Sequence, residues 1–315
     1  MKVGILLPTR QAVMAARGGP APIEPILEMA ERAEALGFAS VWIGDSITAH
    51  PRFDCLTTMA AVAARTRRVA VGSAVLLPAL RNPVVLAFQV ANLDIIANGR
   101  IILGVGVAAK TPSNQRMFEA CGVAFDRRAA IFEEGLTVMQ RLWREPAVTF
   151  AGKHFQIRDV ALQPRPVQAG GPPVWIGGGS EPAMRRCGRM ADGWFPTSRT
   201  PEDFADNYRK VQEYARAAGR DPAAIQSAVY ITINVNADAG RAAQEMETFH
   251  REYYGPDFEK ITSVQGHMAG TADQVAAALR PFAAAGTQTL VLRFGAADQT
   301  AQLEGAAADL LPCLR

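Results

Sequence analysis

Residues Pro173–Trp194 read PVWIGGGSEPAMRRCGRMADGW. Val174–Ile176 is a short apolar strand, three consecutive glycines follow (Gly177, Gly178, Gly179), and a helix starts at Ser180. A strand that stops in glycine and turns straight into a helix N-terminus is an anion cradle. Glycine lets backbone N–H groups come close to a phosphate, and the first helical turn adds partial positive charge. Ser180 suits the N-cap, and Pro182 sits in the first turn, where its missing N–H costs nothing. The same residues also make a tight strand-to-helix turn with no ligand, and in isolation the two readings stand level.

Outward from this unit, apolar runs of strand length alternate with amphipathic helical patterns. Strands are expected at Val3–Leu7, Ser40–Ile43, Val69–Leu77, Arg100–Val105, Val174–Ile176, Gly193–Phe195, Ala228–Val235 and Thr289–Phe294. The clearest helices are Ile23–Leu36, Pro83–Ile96, Phe125–Trp143, Pro201–Ala218 and Thr271–Ala285, the last opening with a capping box of Thr271 and Gln274. Helices end at Gly37, Gly99, Gly219 and Gly286. Several strands are apolar throughout, as in a parallel sheet covered by helices. Eight strands followed by helices in 315 residues predict one (β/α)8 TIM-barrel domain over residues 1–315. A doubly wound open sheet competes, because GVGVAA at Gly104–Ala109 fits a loose dinucleotide fingerprint. That fingerprint fails in context: Lys110–Asn114 reads as a loop, and no second strand ending in an acid follows.

Two segments break the rhythm. Pro146–Pro173 holds two short β-like pieces and a proline-rich run, and reads as a hairpin excursion on a connection of the active-site end. Arg241–Gly266, with His250, Tyr253 and Tyr254 and with His267 just beyond, reads either as a mobile lid or, slightly favoured, as a solvated surface helix.

Hydrophobic residues make up 49% and charged residues 20%, ordinary for a globular domain with a sizeable core. A net charge of +3, from 33 basic and 30 acidic residues, gives no reason to expect nucleic acid or an anionic membrane as partner. Cys55, Cys121, Cys187 and Cys313 form no CxxC pair and no metal-ligand spacing, so reduced thiols and no metal are expected. No basic leader and no apolar run of about 18 residues is present, and a cytoplasmic location is expected.

In order and spacing, KVGILLP, Glu31–Ser46 (ERAEALGFASVWIGDS), Val69–Pro83, ANGRIILGVGV (Ala97–Val107), Phe125–Trp143, QPRP (Gln163–Pro166) and the glycine stretch resemble the bacterial luciferase-like flavin-dependent oxidoreductases. That family includes relatives using the deazaflavin coenzyme F420. The resemblance implies a TIM barrel with the ring of FMN or F420 over the C-terminal mouth. It places a bulge, often with a non-prolyl cis peptide, at Ser73, Ala74 and Val75, and the cofactor phosphate on Gly177, Gly178, Gly179 and Ser180. Gly106 and its loop would pass close to the cofactor, with Asp45 nearby.

The residues themselves agree on the location, since Asp45, Ser73, Gly106 and Gly177 all end strands, where barrel enzymes gather their chemistry. Asp45 and His50 are the catalytic candidates, His50 to orient or protonate a substrate. Arg165 is either a phosphate contact or a loop pin, and Arg81 and Arg100 read as structural. Pocket-lining residues are expected from Pro8–Gly19, His50–Phe53, the loop after Val107 and Arg241–Gly266.

The chain departs from the family's sugar-phosphate and alcohol dehydrogenases, which typically carry histidine after the aspartate matched by Asp45. Ser46 stands there instead, and the Val107–Lys110 loop (VAAK) lacks a glutamate that some of them carry. The first expectation is therefore a monooxygenase acting on a small organic substrate with reduced FMN, supplied by a separate flavin reductase, and O2. The alternative is F420-dependent hydride transfer. A flavin-binding protein without turnover, and a flavin-free enzyme of a phosphorylated metabolite, are further readings. The resemblance also implies a homodimer, for which the apolar helix faces of Leu56–Val62 and Val84–Val90 are the candidate surfaces.

Overall fold

The computed structural model describes residues 1–314. In chain order its strands are β1 Lys2–Leu6, β2 Ser40–Ile43, β3 Ala70–Ser73, β4 Ile101–Val105, β5 Val148–Ala151, β6 Gln156–Val160, β7 Val174–Gly177, β8 Gly193–Phe195, β9 Gln226–Val235, β10 His267–Gly270 and β11 Thr289–Phe294. The parallel order β11-β1-β2-β3-β4-β7-β8 is closed by β9, which pairs with β8 through Gly193↔Gln226 and with β11 through Ala228↔Thr289. That closure makes an eight-stranded barrel and rules out the open doubly wound sheet.

The helices form the outer layer: α1 Thr9–Ala15, α2 Glu24–Ala35, α3 Cys55–Arg65, α4 Pro83–Ile96, α5 Pro112–Ala120, α6 Arg128–Arg144, α7 Glu181–Met190, α8 Pro201–Ala217 and α9 Ala239–Tyr254. The short α10 Phe258–Thr262, then α11 Ala272–Ala284, α12 Gln299–Gly305 and α13 Leu311–Leu314 complete it. Their inner faces and the outward strand residues bury one continuous apolar core. The Thr271–Gln274 capping box forms on α11, and Gly37 and Gly286 stop helices with φ of +88° and +97°. On α4, Val85, Phe88, Ile95 and Ile96 stay exposed.

Inside the barrel, aromatic rings fill the space below the mouth. Trp42 lies 4.9 Å from Phe195 and 5.4 Å from Trp175 between ring centroids. Room for the indoles comes from inward-facing glycines: a Cβ at Gly72 would strike the ring of Trp42, and one at Gly193 the ring of Trp175. This explains glycine inside strands that otherwise want β-branched residues.

Three expectations are corrected. The third strand stops at Ser73 instead of running to Leu77, and a cis peptide joins Ala74 to Val75, where the resemblance places it. Leu76 then rejoins the sheet by a single bridge to Val105. The antiparallel pair β5–β6 lies between α6 and β7, a helix-to-strand connection, so it leaves from the end opposite the active-site loops. It folds back along α6, where Glu134 accepts from the backbone N–H of Lys153 (3.0 Å) and His154 (2.8 Å). Arg165 is the pin of this excursion, donating to the Glu145 carbonyl at 2.6 Å. Finally, β10 was absent from the expected strands. It pairs with Thr232–Val235 at the far end of β9, beyond the two residues that β8 covers, and raises the barrel wall on that side.

Candidate active site

A cavity of about 580 Å³ opens at the C-terminal ends of the strands, within the size range of small-molecule sites. Gly177, Gly178, Gly179, Ser180 and Ala183 form one wall, with Gly106–Ala109 beside them. Gly178 has φ of +108°, which side-chain-bearing residues rarely adopt, and its carbonyl accepts from Trp194 Nε1 at 3.0 Å. Ser180 occupies the N-cap of α7, yet its hydroxyl makes no capping bond and stays exposed, which corrects the expected cap. The first backbone N–H groups of a helix lack intrahelical partners, so this turn keeps free donors beside the cavity.

Ala74 and Val75 form the floor. Val75 is held between the two glycine loops: a Cβ at Gly106 would come within 2.8 Å of its Cγ2, and one at Gly177 within 3.0 Å of its Cγ1. Asp45 and Ser73 do not line the cavity; they stand behind this floor. The Asp45 side chain is 1% exposed and accepts from Arg81 Nη1 (2.7 Å), Arg81 Nη2 (3.0 Å) and the Leu77 N–H (2.9 Å). Ser73 Oγ donates to the Gly104 carbonyl at 2.7 Å. Both therefore fix the path of residues 73–77, and the catalytic expectation for Asp45 is corrected to a positioning one.

His50 does line the cavity. Its backbone N–H donates to Ser46 Oγ at 3.0 Å, so the serine that replaces the family's histidine turns the loop. Burial, followed by Arg10 and Arg52, pushes the His50 imidazole down to about 4, so it is neutral at neutral pH. Buried His250 is likewise pushed down to about 4, by burial, Arg293 and His267. An unfolded chain protonates both near 6.5 and the native one only near 4, so acidification across that window favours unfolding. We expect the thermal midpoint to be steady above pH 7 and to fall from pH 6.5 towards 4. In His250→Gln the fall should be shallower; an unchanged slope would show that this histidine does not titrate as its surroundings dictate.

The wall facing the glycines is cationic and aromatic. Arg10, Arg52 and Arg293 meet there with Tyr230, Tyr253 and Tyr254. Arg10 lies 4.2 Å and Arg293 4.7 Å from the Tyr253 ring centroid, and Arg293 is also 5.0 Å from that of Tyr254. Arg293 donates to Thr232 Oγ1 through Nε (3.0 Å) and Nη2 (2.7 Å). Tyr254 Oη donates to Gln265 Oε1 at 2.7 Å. Burial raises the Tyr253 phenol, but Arg293, Arg52 and Arg10 outweigh it and leave the phenol more acidic than a free one. No aspartate or glutamate lines the cavity among the described residues.

Helix α9 thus seats Phe249, His250, Tyr253 and Tyr254 on the barrel mouth, a packed wall instead of the solvated helix slightly favoured from sequence. Arg10 and Arg52 fall in segments expected to line the pocket, though neither was singled out. Arg293 and Tyr230 were missed because both sit inside apolar strand runs, TLVLRF and SAVYITINV. An arginine in a buried strand was the available signal.

A closed parallel barrel with its cavity at the C-terminal mouth and a glycine cradle on one wall defines a TIM-barrel enzyme. The chain belongs to the luciferase-like monooxygenase family, whose model matches residues 1–308, and it is an oxidoreductase of that family. It is 30% identical over 314 residues to the F420-dependent glucose-6-phosphate dehydrogenase of Intrasporangium calvum, covering 90% of this chain and 92% of the relative. The 5,10-methylenetetrahydromethanopterin reductase of Methanolobus tindarius is 27% identical over 224 residues, 70% of this chain and 65% of the relative. Among solved structures, the monooxygenase RslO1 from Streptomyces bottropensis superposes with a TM-score of 0.83 at 26% identity, covering 99% of both chains.

Proposed function

We propose that this oxidoreductase works with F420 by hydride transfer, the alternative reading of the sequence, ahead of oxygenation with reduced FMN. The relatives support the deazaflavin, and the observation that carries the fit is the glycine wall beside a flat floor. Gly178 turns with φ of +108°, a Cβ at Gly179 would meet no atom within 4 Å, and Ala74–Val75 present only small apolar surface. Such a wall has room and donors for a phosphate, and such a floor suits one face of a planar ring.

When bound, F420 supplies or accepts the hydride, chemistry that no side chain can carry. Gly177–Ser180 would bind its phosphate, Ala74 and Val75 would back its ring, and Tyr253 Oη would hold the accompanying proton. Two features separate the reaction from sugar-phosphate oxidation. Ser46 is turned to the His50 backbone and the Met117 sulfur, and no carboxylate reaches the cavity as a base among the described residues. The Tyr253 phenol, more acidic than a free one, and the neutral His50 imidazole are the groups placed to give or take the proton that accompanies the hydride, in either direction of transfer.

Parallel titrations of the purified protein with F420 and FMN, read by cofactor fluorescence, test the reading. F420 should bind in the micromolar range and FMN at least about tenfold more weakly, a gap of about 1.4 kcal/mol. The opposite order would restore the FMN reading, and binding of neither would end both.

A further inference from the structure

The cavity has a second pole that cofactor binding leaves unused. Around the closed ring, β7 with its glycine turn stands across from β1, and β4 stands across from β11. Arg10 follows β1, Arg52 follows β2 and Arg293 lies on β11, so three guanidiniums gather on the wall that faces the glycine cradle. Ion pairs elsewhere occupy twelve contacts, yet none includes any of these three arginines among the described residues. Nε of Arg10 and Nε of Arg52 are buried with no hydrogen-bond partner. Arg52 lies so close over Gly44 that a Cβ there would collide with its Nη1, which holds the guanidinium on the cavity side of the β2 end.

Clustered, partly desolvated cations without a counter-charge are unfavourable, and the tyrosine faces offset only part of that cost. An anion placed among them would remove the repulsion and gain charge-assisted hydrogen bonds. The planar fork of arginine matches the two oxygens of a carboxylate or phosphate. The cofactor's phosphate does not meet this need, because its cradle lies on the opposite wall.

We infer that Arg10, Arg52 and Arg293 receive an oxyanion of the substrate, carboxylate or phosphate, so that the molecule exchanging hydride with the cofactor is an organic anion held at the pole facing the cofactor phosphate. The inference rests on the hydride-transfer reading for what happens to that anion, but not for its binding. Arg293 is boxed by Phe249, Tyr230, Tyr253 and Tyr254 and sets the field from below, while the half-buried Arg10 and Arg52 make the direct contacts.

The test uses the full chain with benzoate and inorganic phosphate as probes, at ionic strength held constant with chloride. Thermal midpoint is followed against probe concentration, and F420 affinity is measured separately. In the wild type benzoate should raise the midpoint saturably. Arg52→Gln should weaken the apparent affinity about tenfold and Arg10→Gln/Arg52→Gln further, while Arg52→Lys, which keeps the charge and loses the fork, falls between. F420 affinity should move less than about threefold in these variants, about 0.6 kcal/mol. Gly178→Val should do the reverse, losing F420 and keeping the benzoate response.

If phosphate still protects Gly178→Val, the arginines also take phosphate. If only benzoate does, the oxyanion is a carboxylate. Absence of both the benzoate and the phosphate response from the wild type, or responses equal in the wild type and the double variant, overturns the proposal, as does a loss of F420 that parallels the loss of the probe. Benzoate binding by a wild type that ignores F420 would retire the cofactor reading and leave the anion pole standing.

Discussion

Asp45→Ala should destabilise the protein by about 3–5 kcal/mol, the range found when one partner of a buried ion pair is removed. The Asp45 side chain is 1% exposed and that of Arg81 15%, so truncation leaves a guanidinium in a largely dry place. Only the more exposed Asp54, 3.5 Å away, remains as a counter-charge. The Leu77 N–H loses its acceptor too, and residues 74–77, which carry the cavity floor, lose their anchor. Equilibrium urea unfolding at pH 7 reads the cost. Asp45→Leu/Arg81→Met should recover most of it, because two apolar side chains of similar bulk leave no orphan charge. A single-variant loss below about 1 kcal/mol would mean that water reaches Arg81 and that the pair contributes as a surface bridge does. In that event Asp45 would return as a site candidate.

Gly178→Val should weaken F420 binding at least about 100-fold, or about 2.7 kcal/mol, read by fluorescence titration. A β-branched residue is a poor fit to φ of +108°, so the turn must rearrange and carry with it the carbonyl that accepts from Trp194. The donors that line the cradle move with it. Gly179→Ala is the companion variant, since its Cβ would meet nothing within 4 Å and the fold should tolerate it. Unchanged F420 affinity in Gly178→Val would remove the cradle from the binding site and leave the cavity floor as the only cofactor contact.

The barrel was legible because its signals are local. Apolar runs, glycine stops such as Gly37 and Gly286, and the Thr271–Gln274 box each act within a few residues. The glycine wall was legible for the same reason. The arginine pole was not: Arg10, Arg52 and Arg293 come together only when β1, β2 and β11 lie side by side. Asp45 was misplaced because its partner Arg81 lies 36 residues away, beyond the next strand. The β5–β6 hairpin was assigned to the wrong end although the order along the chain, helix Phe125–Trp143, then hairpin, then strand Val174–Ile176, already sets it on a helix-to-strand connection, away from the active-site loops. Strand β10, four residues with a histidine and a glycine, has no alternation to read, and only its neighbour β9 defines it.

The aromatic floor has an optical consequence. The chain has four tryptophans, and three of them report on the cavity. Trp42 and Trp175 pack together beneath its floor, their rings tilted by 34°, and Trp194 holds the turn of its glycine wall. A planar chromophore settling on Ala74 and Val75 would therefore lie above two indoles and next to a third. Quenching or energy transfer from intrinsic emission then measures occupancy without a label. Each variant above can thus be followed in the unmodified protein, with filling of the site and loss of fold separated by their spectra.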